Sequence, residues 1–186
     1  MVAQPNRMSV QDYLELERSS METRYEYIDG YASMLAGGTA DHATIGGNVY
    51  AELRALLRRS PCRAYNSDMK VRLAEERFVF PDVSVSCDPR DRGTIDIVES
   101  PRLAVEVLSP STQGYDRGEK ARYYRACPTI EEYVLIEAQQ QAVEVYRREK
   151  EFWKLYSFWP GDTVFLASLN IHLSMAAIYE DTVVGA

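Results

Sequence analysis

The spacing of apolar and polar positions divides the chain into short elements. Ser9-Val10-Gln11-Asp12 has the form of a capping box, which predicts a helix through about Arg18. Arg24 to Asp29 reads as an extended, tyrosine-rich segment. Asp29-Gly30 is a two-residue hairpin signal, with a return strand over Tyr31 to Leu35 and a break at Gly37-Gly38. From about His42 to Arg59, with Asp41 as cap, Ile45, Val49, Leu53, Leu56 and Leu57 recur at helical spacing, and Pro61 stops the helix. Three strands are predicted next. Tyr65 to Leu73 alternates apolar and charged residues, whereas Phe78 to Ser86 and Leu103 to Leu108 are more continuously apolar, as central strands covered on both faces are. Arg90 to Pro101 reads as a polar connection. Asp116-Arg117-Gly118-Glu119 is a second capping-box pattern, opening a helix to about Ala126. Strands over Glu132 to Ile136, Val143 to Arg147 and Phe152 to Phe158 follow, then a turn at Pro160-Gly161-Asp162 and a last strand or two with a short helical turn before Tyr179.

This order predicts an α/β (α+β) fold in one domain spanning residues 1–186: a mixed sheet flanked by helices, with an N-terminal hairpin and C-terminal antiparallel strands. A length of 186 residues suits one domain, and 46% hydrophobic with 26% charged residues is a globular mix. No apolar run approaches the roughly 20 residues that span a bilayer, and Met1 to Met8 has no apolar signal core, so a cytoplasmic location without membrane contact is expected. Cys62, Cys87 and Cys127 form no C-x-x-C pair and are expected as free thiols. The net charge of −7 argues against a protein that coats nucleic acid, because phosphate binding needs a basic footprint, but it leaves room for a local one.

The chemistry concentrates in three places. In Leu103-Ala104-Val105-Glu106-Val107-Leu108 a carboxylate stands among aliphatic residues, where it is costly unless paired, hydrogen-bonded or bound to a cation. Ala142-Val143-Glu144-Val145 is a control within the same chain: Tyr146-Arg147-Arg148 follows it, and Glu144 can simply face solvent. In Phe80-Pro81-Asp82-Val83, Pro81 removes a ladder donor and suggests a strand edge or bend from which Asp82 can reach a neighbouring strand. Two carboxylates brought together repel unless a proton or a divalent cation intervenes, and an oxygen-only pair selects a hard cation such as Mg²⁺. Lys120, early in its predicted helix, opposes the helix dipole; it is either a solvated surface lysine or the partner of an acid or a phosphate.

Taken in order, Arg24-Tyr25-Glu26-Tyr27-Ile28-Asp29-Gly30, His42 at a helix start, Phe80-Pro81-Asp82-Val83, Val105-Glu106-Val107-Leu108-Ser109-Pro110 and Asp116-Arg117 with Lys120 and Tyr124 resemble the Uma-type family of restriction endonucleases in the PD-(D/E)XK superfamily. The resemblance covers roughly residues 9–180. It implies a restriction-endonuclease-like sheet core, Mg²⁺-dependent hydrolysis of phosphodiester bonds (Mn²⁺ as a possible substitute), nucleic acid as substrate, DNA ahead of RNA, and homodimers. By position, Asp82 resembles the Asp of the PD element and Glu106 the acid of the (D/E)XK element. Leu108 stands where the superfamily has its strand lysine; Lys120 resembles the lysine this family uses instead, with Lys70 as a weaker substitute. Glu26 and His42 match recurrent positions, His42 either serving the site or only capping and packing. Tyr31 stands where the family often has an acidic residue after the turn.

The expected arrangement is therefore Asp82, Glu106 and the Val107 backbone carbonyl around Mg²⁺, Lys120 as the catalytic cation, and Arg117, Arg122 and Arg125 on flanking phosphates. The aromatic Trp153, Tyr156, Phe158 and Trp159 are expected to cover one face of a strand that a symmetric dimer uses. The alternative from another class is a catalytically inert nuclease-like module that binds nucleic acid or a protein, favoured by the acidic balance and the displaced lysine. Cation-dependent cleavage separates the two.

Overall fold

The computed structural model describes residues 7–20, 22–35 and 37–185. Helix α1 (Val10–Ser19) starts at the capping box, with the Ser9 hydroxyl accepting from the Asp12 N–H. The hairpin β1 (Tyr25–Ile28) and β2 (Tyr31–Met34) turns through Asp29 (φ 49°) and Gly30 (φ 97°), the two positive φ values that a type I′ turn requires. Arg77 holds this turn through a bidentate pair with the Asp29 carboxylate. Helix α2 (Ala40–Leu56) is capped by Thr39, whose hydroxyl accepts from the His42 N–H, and not by Asp41.

The long strands predicted next are each broken in two. Tyr65 to Leu73 becomes β3 (Arg63–Asn66) and β4 (Lys70–Ala74), separated by a turn in which the Met69 N–H bonds to the Asn66 carbonyl. Phe78 to Ser86 becomes β5 (Arg77–Val79) and β6 (Val83–Ser86), with Phe80-Pro81-Asp82 between them. The polar connection holds a short strand, β7 (Ile97–Val98), ahead of β8 (Pro101–Leu108). Then come α3 (Gln113–Tyr115), a π-helical turn (Asp116–Lys120) and α4 (Ala121–Ala126), followed by β9 (Glu132–Glu137), β10 (Val143–Arg148) and β11 (Trp153–Phe158). The hairpin β12 (Thr163–Leu166) and β13 (Ile171–Ser174) leads into α5 (Met175–Ile178). Asp116 is thus inside a helical run that began a turn earlier, and it caps nothing.

These strands form two main sheets, ordered β2-β1-β5-β4-β7 and β11-β10-β9-β8-β6-β3, plus the β12-β13 pair. Only β4–β7 and β8–β9 are parallel. Strand β8 is central and alternates strictly. Leu103, Val105 and Val107 join the core under Ile45, Val49 and Leu53 of α2, while Ala104 and Leu108 face the core under Ala121 and Tyr124 of α4. Glu106 shares the α4 side, buried on a strand covered on both faces.

Two sequence expectations are corrected here. Cys62 and Cys87 are not free thiols but a disulfide: β3 pairs antiparallel with β6 so that Arg63 faces Ser86, which sets the preceding and following cysteines opposite each other. Cys127 alone is free, and buried. The aromatics of β11 do not share one face. Tyr156 and Phe158 pack on the α2-side core and Trp153 on the α4-side core, so the apolar side chains left outward around this edge strand are Phe152, Leu155 and Trp159. Among the described residues no helix is long and apolar enough to cross a membrane.

Candidate active site

Pro81 cannot donate to a ladder, and at this point the chain leaves the five-stranded sheet and enters the six-stranded one. The bend leaves Asp82 at the junction, where its Oδ2 accepts the Val107 N–H of β8 at 2.7 Å. His42, in the first turn of α2, brings Nε2 to 3.6 Å from the same oxygen. Gly38 lies against the imidazole; a Cβ there would come within 2.6 Å of Nδ1, so the close approach requires glycine.

Glu106, the residue after Val105 (which pairs with Val83), faces the π turn. The Lys120 ammonium lies 2.8 Å from Glu106 Oε1, 2.9 Å from Glu26 Oε1 and 3.8 Å from Asp116 Oδ1, and all four side chains are buried. Tyr124, one turn beyond Lys120, donates its hydroxyl to Glu106 Oε1 at 2.6 Å. Its ring stacks on Tyr133, whose own hydroxyl donates to the Asp116 carbonyl. Glu26 also accepts the Phe80 N–H at 3.2 Å, so one carboxylate of β1 ties the first sheet to both the PD bend and the π turn. π turns recur at functional sites because they rotate side chains out of the regular helical register.

Burial dominates the electrostatics. It pushes Glu106 up to about 8, against the attraction of Lys120 and with added repulsion from Asp82, Asp116 and Glu26. Burial also raises Asp82, although His42, the Val107 N–H and Lys120 pull the other way, and it raises Asp116. For Lys120 burial works toward deprotonation, but Glu106, Glu26 and Asp116 outweigh it and hold the amine well above its usual range. The site thus combines a cation with three carboxyls, those of Asp82, Glu106 and Asp116, that ionise reluctantly.

Asp82, Glu106, Val107, Asp116, Lys120 and His42 line one cleft of about 780 Å³. A Mg²⁺ ion suits this donor set. The oxygens are hard, two carboxylates suffice for an ion that keeps several waters, and a dication would favour the ionised forms that burial opposes. Among the described residues no group of three or more His, Cys, Asp or Glu side chains converges as a ready-made cage.

The other predicted residues lie elsewhere. Lys70 is also buried, but it is 2.6 Å from Glu17 and over the Tyr13 ring, away from Glu106. Arg117 is held between Glu137 and Glu144, Arg122 pairs with Glu119, and Arg125 bonds to the Ala121 carbonyl over the Tyr146 ring; none of the three lines the cleft. Glu144 is accordingly ion-paired rather than left to solvent. Glu132 shows what a structural carboxylate looks like here. It is fully buried, yet it accepts from Arg147, the Ala167 and Ser168 N–H groups and the Ser168 hydroxyl. Sequence reading missed Asp116 and Tyr124 as members of the site. The signal was their i−4 and i+4 spacing from Lys120, which puts neighbours on one face of a helical run.

The arrangement is that of a nuclease-like α/β fold. A crystal structure of a putative nuclease from Anabaena variabilis superposes with a TM-score of 0.75 over 92% of this chain and 97% of that one, at 20% identity. The chain belongs to the Uma2 family, described as "Putative restriction endonuclease", which matches residues 10–177. Two uncharacterised Synechocystis proteins are similar to it, one 33% identical over 93% of this chain and 92% of its own length, the other 31% identical over 79% and 84%.

Proposed function

We propose that the protein is a Mg²⁺-dependent endonuclease that hydrolyses phosphodiester bonds in nucleic acid, DNA in preference to RNA. The observation that carries this reading is the meeting of Asp82 and Glu106, both reluctant to ionise, with the buried ammonium of Lys120 on the wall of an open cleft. Asp82 and Glu106 would hold the cation, with the Val107 carbonyl as a third oxygen. When bound, Mg²⁺ lowers the pKa of a water and neutralises charge at the scissile phosphate. Lys120 keeps its proton through neutral pH and offers N–H donors to phosphate oxygens as charge grows on them. Glu26 and Asp116 hold that ammonium in place, Tyr124 orients Glu106, and His42 orients Asp82.

Incubating the protein with mixed DNA and RNA substrates in Mg²⁺, Mn²⁺ or EDTA tests the reading directly. Cleavage with either metal and none in EDTA is expected, and Asp82→Asn should slow it about 10³-fold, equivalent to about 4 kcal/mol of lost transition-state stabilisation. No cleavage by the wild type under any condition would leave the inert binding module in its place.

The same reading carries a symmetric homodimer through the free edge of β11, where Phe152, Leu155 and Trp159 are exposed. Light scattering should give twice 21.2 kDa, and Leu155→Lys should halve the mass. A wild type that stays at 21.2 kDa at high concentration would exclude the dimer.

A further inference from the structure

A second depression of about 680 Å³ adjoins the C-terminal half of α2, and its walls carry Arg54, Arg58, Arg59, Arg63 and Arg92. All five are exposed, and none is ion-paired among the described residues, in a chain whose net charge is −7. Arg63 bonds to the Ser60 and Cys62 carbonyls, Arg92 to the Pro61 carbonyl and Arg54 to the Tyr50 hydroxyl. These contacts order the guanidinium groups without neutralising them. Arg59 holds φ 67°, the left-handed conformation in which many helices end, and this turns the chain out of α2 beside the depression.

The depression adjoins the active-site cleft. Tyr50 lines both, and α2 runs from His42, Gly46 and Gly47 in the cleft to Arg54 in the depression, with Arg58 just past its end. Strand β3 lies beside it in the same way, with Asn66 in the cleft and Ala64 in the depression. Gly46 and Gly47 weaken a helix interior by about 1 kcal/mol each relative to alanine. A Cβ would make only ordinary contacts at Gly46 and none at Gly47, so the fold itself does not demand either. What they provide is a smooth wall between the carboxylates and the arginines.

We infer that this arginine tract is the binding site for the phosphodiester backbone of the nucleic-acid substrate, which runs along α2 and β3 into the cleft. From His42 to Leu56, the end of α2, the helix rises about 21 Å, the length of about six nucleotides of a duplex strand. The acidic remainder of the surface repels a polyanion and so directs it to this tract. The assignment replaces the Arg117 segment, whose charge is spent on Glu137 and Glu144. It rests on the nuclease reading for its choice of ligand, and the test keeps the two apart.

The measurement is fluorescence anisotropy of a labelled DNA duplex of about 20 base pairs in EDTA, titrated at salt from about 50 to 200 mM, the range over which phosphate contacts show their salt dependence. Arg58→Gln/Arg63→Gln should weaken binding about tenfold per arginine at the lowest salt and make the slope of log K against log salt shallower by about 1.8. Lys150→Gln/Lys154→Gln removes the same charge elsewhere and should change neither. Equal losses in both double variants, no loss in the arginine variant, or no DNA binding by the wild type would each overturn the inference. Cleavage with Mg²⁺ is scored separately. A wild type that binds through the arginines but never cleaves keeps this site and removes the nuclease reading, and a cleaving wild type with an unaffected arginine variant does the opposite.

Discussion

Replacing Lys120 with methionine is expected to cost the fold about 3–5 kcal/mol, the loss seen when one member of a buried ion pair is removed, and to abolish cleavage. The ammonium faces Glu26, Glu106 and Asp116, and without it three buried acids repel one another in a site that water barely reaches. Their protonation would relieve that repulsion, so the variant should be least stable at alkaline pH and recover as pH falls. The wild-type amine gives no such slope. Its pKa is raised, so its contribution is complete below about 10.5, the ordinary lysine value, and is lost only as pH rises through the higher folded value. At about 2–4 °C per kcal/mol for a chain of this size, the melting temperature should drop by about 10 °C at pH 8. Combining the change with Glu106→Gln should return part of it. A Lys120→Met protein as stable as the wild type would show that the ammonium is not what holds these acids together.

Glu106→Gln has the opposite expected sign in the absence of metal. The folded pKa of about 8 lies above the ordinary 4.5, so between those values the folded protein keeps a proton that the unfolded chain releases. Rising pH then favours unfolding by up to about 1.4 kcal/mol per unit from this one group. Glutamine resembles the protonated acid and still accepts from Tyr124 and Lys120. Wild type and variant should therefore match near pH 5 and diverge toward pH 8, with the variant about 2–4 kcal/mol more stable there, a fraction of the full linkage. Mg²⁺ should raise the wild-type melting temperature, because it binds the native state only, and leave the variant unmoved. Melting curves in EDTA and in Mg²⁺ at both pH values check this. A variant less stable than wild type at pH 8 in EDTA would make Glu106 a structural acid of the same kind as Glu132.

What the sequence made legible depended on how local the physics was. Glu106 stood out because an acid in an unbroken aliphatic run has few solutions, and the Ser9 box and the Asp29-Gly30 turn are settled within four residues. Lys120 drew notice from its place against the helix dipole, but only resemblance chose between a surface lysine and a site residue; the contacts with Glu26 and Asp116 depend on how β1 and the π turn come together. The broken strands were hidden because an apolar run does not record that Pro81 passes the chain from one sheet to another. Asp116 was misread because Asp-x-x-Glu fits a cap, although the helix had begun after Thr112. The disulfide followed from the antiparallel register of β3 on β6, which no spacing of cysteines reveals.

The clasp of Glu26, Lys120 and Glu106 joins segments that are far apart along the chain. Its closure needs long loops ordered first, so on general grounds it should form late on the folding pathway. During synthesis, the hairpin, α2 and the PD bend emerge from the ribosome before β8 and the π turn exist. A nascent chain therefore carries Asp82 for many residues of elongation with neither its partner acid nor the ammonium. The proposed site becomes whole only when nearly all of the scaffold that positions it is in place.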